Sequence, residues 1–96
     1  MSKHLIFVAK IEAKPDKFEF VKSELQKLVS PTLKEPGCIQ YDLHQDIENP
    51  ALFLLYESWE SRELWQQHTR NPRLGEFMKT TEGAVVSFTI NEMTRL

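Results

Sequence analysis

The chain has 96 residues and a formal net charge of −2, with acidic and basic side chains interspersed along its length. That length suits one domain, 1–96, and no run of Lys and Arg supplies the electrostatic footprint of a nucleic-acid binder. Cys38 is the only cysteine, which excludes an intrachain disulfide and a cysteine-rich metal site. A chain this short buries only about two-thirds of its unfolded surface, so oligomerisation is the expected source of added stability.

Lys3 and His4 precede an apolar stretch, Leu5 to Ala9, that Lys10 interrupts. It is too short for a signal-peptide core or a membrane span, so a cytoplasmic, membrane-free protein is expected. Leu5 to Ala13 is rich in β-formers and ends at the turn Lys14-Pro15-Asp16. Asp16, with Glu19 three residues on, is placed to cap a helix whose apolar face is Phe18, Val21, Leu25 and Leu28. Pro31 should bend or break that helix, and Pro36-Gly37 should end it.

Cys38 to Asp46 alternates, with Ile39, Tyr41 and Leu43 on one side and Gln40, Asp42 and His44 on the other. Glu48-Asn49-Pro50 forms a turn into Leu52 to Trp59, and two strands joined so closely read as an antiparallel hairpin. Ser61 caps a helix carrying Leu64, Trp65 and His68. Asn71-Pro72 starts another with Leu74, Phe77 and Met78, and Gly83 closes it before the strand Ala84 to Glu92.

The order β-α-β-β-α-β gives an α+β, ferredoxin-like two-layer sandwich with helices on one face of the sheet. On Leu52 to Trp59, Phe53, Leu55 and Trp59 share one side, while Leu52, Leu54 and Tyr56 share the other. Both sides are apolar and only one can meet the helices. A second copy of the sheet is the economical cover for the other, so a homodimer is expected.

Three glycines cannot build a phosphate-cradling loop of the Walker or dinucleotide type, and the histidines lack ligand spacing. No cofactor and no metal are expected. Each histidine has an ordinary reading beside a functional one. His4 sits at the terminus and carries little weight. His44 is on the polar side of its strand, either solvent-facing or meeting a pocket. His68 is on a helix, either a satisfied half-buried residue or a functional one. Glu57 and Trp59 are two apart on a strand and project from one face, where burial would raise a carboxylate pKa and fit it for proton handling. A salt bridge and plain core packing are their ordinary readings. Cys38 reads as a small buried packing residue.

Lys14-Pro15-Asp16-Lys17, Pro31-Thr32, Glu35-Pro36-Gly37-Cys38, Tyr41 with Leu43-His44, Tyr56-Glu57-Ser58-Trp59-Glu60-Ser61, His68 and Asn71-Pro72 together resemble the antibiotic biosynthesis monooxygenase family. The resemblance covers essentially the whole chain. It implies a dimeric α+β barrel with a pocket between sheet and helices in each subunit. It also implies oxidation of a small quinol or phenol by O2 without metal or flavin. In family monooxygenases of antibiotic pathways a strand histidine and tryptophan line the pocket, and His44 and Trp59 match them. Other substrate-contacting positions depart: an asparagine reads as Leu55, a tyrosine as Trp65, and an arginine falls near Met78. The haem ligand of haem-degrading relatives also falls near Met78, which argues against that activity. The resemblance therefore suggests His44 or His68 as base, Glu57 as proton handler, Trp59 as aromatic wall, and Phe53, Leu55 and Trp65 against the substrate. An isomerase or lyase of small carbonyl metabolites and a non-catalytic ligand-binding stress domain are the alternatives.

Overall fold

A computed structural model describes residues 5–96. The elements are β1 (Leu5–Ala13), α1 (Phe18–Leu33), β2 (Cys38–Gln45), β3 (Leu52–Trp59), α2 (Arg62–Thr69), α3 (Pro72–Thr80) and β4 (Val85–Met93). The four strands form one antiparallel sheet in the order β2-β3-β1-β4. This is the expected ferredoxin-like sandwich, its second helical segment divided into α2 and α3.

Register fixes which side chains share a row. Tyr41, Glu57, Phe7 and Glu92 lie side by side across the sheet, followed by Leu43, Leu55, Ala9 and Ile90. Because strand side chains alternate, both rows face the helices. Val21, Leu25 and Leu28 of α1 enter the core against Ile11, Phe53 and Tyr41, all of them buried. The opposite row set includes Ile6, Val8, Leu52, Leu54 and Tyr56, which no helix among the described residues covers.

Four local expectations are corrected. The proline at 31 does not break α1, which runs on to Leu33. Pro31 falls in the last turn, where few downstream bonds depend on it. Thr32 is buried on the core side, and the N–H groups of Lys34 and Glu35 bond the carbonyls of Pro31 and Thr32. At the other end Lys17, not Asp16, is the N-cap, and no side chain bonds there. The caps expected on the next two helices are in place: Ser61 Oγ accepts from Leu64 N–H at 3.2 Å, and Asn71 Oδ1 from Arg73 N–H at 2.9 Å. β2 stops one residue early, at Gln45, because the Asp46 carboxylate turns back to accept from Glu48 and Asn49 N–H. β4 starts one residue late, at Val85, since Ala84 N–H still bonds Thr81 in the turn. His4 lies outside the described residues.

Candidate active site

Between helices α2 and α3 and the strands is a cavity of about 260 Å³. Tyr41, Leu55, Glu57 and Ile90 rise from the strands into it, and Trp65, His68, Leu74 and Met78 close it from the helices. Trp65 is held by stacking on Phe7, with ring centroids 4.0 Å apart and planes 6° from parallel. Apart from Glu57 and His68, the wall is nearly all apolar, which suits a small neutral ligand.

Glu57 is 5% exposed. Its Oε1 accepts a 3.0 Å hydrogen bond from Trp59 Nε1–H. Burial pushes the carboxyl up to about 7; the Trp59 bond opposes that rise and the charge of Glu35 adds to it. Glu57 is therefore divided between acid and base near neutral pH.

His68, from the last turn of α2, is 3% exposed. Its Nδ1 lies 3.0 Å from Glu35 Oε1, and Arg73 donates to Glu35 Oε2 at 2.7 Å. The imidazole is flanked by Trp59, 4.7 Å between centroids, and by Tyr41, edge-on at 5.7 Å. Nε2 has no protein partner among the described residues. Burial lowers the His68 pKa, with Glu35 acting in the opposite sense, so the neutral ring dominates at pH 7. Burial also raises Tyr41, and it pushes the Cys38 thiol up to about 11, which keeps it from acting as a thiolate at neutral pH. Cys38 is only partly buried.

Of the residues singled out from sequence, Glu57, His68, Leu55 and Trp65 line the cavity together. Trp59, fully buried, stands behind Glu57 and His68 as their support. Phe53 pairs with Ile11 deeper in the core and does not reach the cavity. His44 does not join them. It pairs with Leu54 on the side of the sheet away from the helices, the polar side read from strand alternation, and so does not line this cavity. Its Nδ1 lies 3.4 Å from Leu54 O, in an open depression with Lys10, Asp46 and Glu48. Sequence reasoning missed the roles of Glu35, Tyr41 and Arg73. Among the described residues no three His, Cys, Asp or Glu side chains are grouped to hold a metal ion, and no helix is long and apolar enough to cross a membrane.

Residues 5–80 match the profile of the family described as antibiotic biosynthesis monooxygenase. An uncharacterized Synechocystis protein is 32% identical over 75 residues, a match spanning 78% of this chain but only 51% of that protein. YcnE of Bacillus subtilis, provisionally named a monooxygenase, is 30% identical over 74 residues, covering 77% of this chain and 78% of its own. The crystal structure of PA3566 from Pseudomonas aeruginosa is similar over 100% of this chain and 97% of that one, with a TM-score of 0.95 and 34% identity.

Proposed function

Because this chain belongs to the antibiotic biosynthesis monooxygenase family, we propose that it is a cofactor-independent monooxygenase of a small quinol or phenol, working as a homodimer. The observation that supports this most is the meeting of a buried carboxyl titrating near 7 and an imidazole with a free nitrogen on one apolar cavity.

A neutral phenol enters without having to strip a charge of its water. His68 Nε2 takes the hydroxyl proton, and the phenolate is electron-rich enough to pass an electron to O2. The two radicals combine into a C–O bond, giving a hydroperoxide. Protonated Glu57 then supplies a proton as the O–O bond breaks, the ring C–H proton is lost to base, and a quinone remains. One oxygen atom stays in the product. The other leaves as water with the two hydrogens the phenol has lost. Trp65 and Leu55 hold the ring, and the apolar wall under α2 and α3 limits water around the reactive species. A positioned acid and base typically contribute about 10²–10⁴-fold each.

The dimer is supported by the uncovered sheet face. Val8, Leu54 and Tyr56, each only partly buried, form an apolar strip in the middle of it, and polar residues such as Asp42 and Asn91 flank them on the outer strands. Two such faces stacked would give the α+β barrel that the resemblance implies.

Oxygen uptake over a panel of hydroquinones and naphthols, with metal-free protein, tests the activity. Enzyme-dependent uptake that His68→Ala slows severely is the expected result; uptake no faster than autoxidation across the panel counts against it. The same acid–base pair would serve proton transfer next to a carbonyl, and the value of about 7 for Glu57 favours keeping that reading beside the first. Solvent deuterium exchange into small hydroxyketones, without O2, would identify it.

A further inference from the structure

Glu35 lies outside the elements, in the turn between α1 and β2, yet its side chain is only 12% exposed. The turn is tightly built. Glu35 N–H bonds Thr32 O at 3.0 Å, Cys38 N–H bonds Glu35 O at 3.2 Å, and Glu60 N–H bonds Gly37 O at 2.9 Å. Gly37 has φ +85°, and a Cβ on it would fall 2.4 Å from Leu64 Cδ1, so α2 is seated directly on the turn. Glu35 thereby reaches His68 across 33 positions of sequence and Arg73 across 38.

A carboxylate accepts hydrogen bonds and cannot donate them. Arg73 donates to Oε2, and the atom facing the accepting Oε1 carries a proton. We propose that Glu35 and Arg73 are positioning residues of this site: the Arg73-anchored carboxylate of Glu35 fixes the proton of His68 on Nδ1 and presents a bare Nε2 to the cavity as base. The kinetic part rests on the proposed reaction, but the tautomer belongs to the protein alone. The groups facing His68 are Glu35 from the α1–β2 turn, Arg73 from α3, Tyr41 from β2 and Glu57 from β3. Of these, only Glu35 bonds its protonated side, and Arg73 reaches it through Glu35. When Nε2 takes a proton, the Glu35 charge stabilises the imidazolium, as a carboxylate does for a general-base histidine.

The test is ¹⁵N NMR of His68 in the full chain, followed through pH. The expected spectrum at high pH has the proton on Nδ1 and none on Nε2. Glu35→Gln should move the His68 titration to lower pH, because the favourable charge is gone. Arg73→Gln should move it to higher pH, because an opposing charge is gone. Shifts of opposite sign cannot come from general loosening of the fold. On an established substrate Glu35→Gln should lower kcat roughly 10- to 100-fold with KM little changed, and Glu35→Asp should recover part of it. A wild-type proton on Nε2, or a titration that neither variant moves, would overturn the inference. If Glu35→Gln does not fold, the wild-type tautomer and Arg73→Gln decide, since the Arg73 side chain is 40% exposed. Correct tautomer and opposed shifts without turnover of any phenol would leave this inference standing and reject the proposed reaction instead.

Discussion

The indole N–H of Trp59 donates to Oε1 of Glu57 at 3.0 Å, and neither side chain has appreciable contact with solvent. One partner is obliged to donate and the other to accept, so the bond orients the carboxyl and leaves Oε2 for a ligand. It also offsets part of the cost of burying Glu57 without cancelling it.

Glu57→Gln separates stability from activity. The folded-state pKa is raised from 4.5 to about 7, so ionisation in the unfolded chain destabilises the fold increasingly as pH rises from about 4.5 to 7, and fully above that. The displacement corresponds to on the order of 3 kcal/mol. Glutamine still accepts from Trp59 and never ionises. The variant should match wild type near pH 4, exceed it in thermal stability at pH 8, and be about 10²–10⁴-fold slower. Denaturation curves at the two pH values check the first part, and turnover per folded molecule the second.

Trp59→Phe keeps an aromatic beside His68 and removes the donor. It should cost about 1–3 kcal/mol, from lost packing and an unpartnered carboxyl oxygen. Because the Trp59 bond lowers the Glu57 pKa, its loss should move the Glu57 titration to still higher pH, readable by ¹³C NMR of the carboxyl.

Much of this was legible in the chain. β1 and β3 have the bounds read from composition, since β-former runs bracketed by turn residues leave little choice of period. The Glu57–Trp59 pairing followed from an i, i+2 spacing on a strand. Pro31 misled, because a proline's effect depends on how much helix follows it and on what the next residue, here buried Thr32, packs against. Glu35 and Arg73 were invisible as site residues. Their link to His68 spans more than thirty positions and exists only once Gly37 lets α2 settle on the turn.

That turn can be tested against a control inside the same protein. Gly37 and Gly83 have nearly the same φ, +85° and +84°, but only at Gly37 would a Cβ meet another side chain. Gly83→Ala should cost about 1 kcal/mol for the left-handed backbone, and Gly37→Ala a further 1–3 kcal/mol for displacing Leu64. Equal losses in urea denaturation would mean that α2 does not rest on the turn.

The two sheet faces call for a paired experiment. Leu54→Asp puts a charge in the middle of the uncovered face and should convert dimer to monomer by sedimentation at micromolar concentration. The melting temperature should fall and lose its dependence on concentration. An interface of this kind buries about 800 Å² per partner. A wild-type chain that sediments as a folded monomer contradicts the dimer.

His44 and His68 can be ranked directly. His44 faces away from the cavity and His68 lines it. His68→Ala should lose most of the turnover, whereas His44→Ala should keep it to within a few-fold in any preparation that remains dimeric. The reverse ranking would move the active site to the far face of the sheet.

In the proposed reaction O2 itself oxidises the bound phenol and leaves one of its atoms in the product. Turnover of an oxidised substrate under ¹⁸O₂ in ordinary water, with mass spectrometry of quinone quenched before carbonyl exchange, measures that directly. The expected product carries one ¹⁸O, and Glu57→Gln and His68→Ala slow its appearance without changing its mass. A quinone formed at the enzyme's rate with no ¹⁸O would rule that reaction out, because the protein would then be removing electrons rather than inserting oxygen.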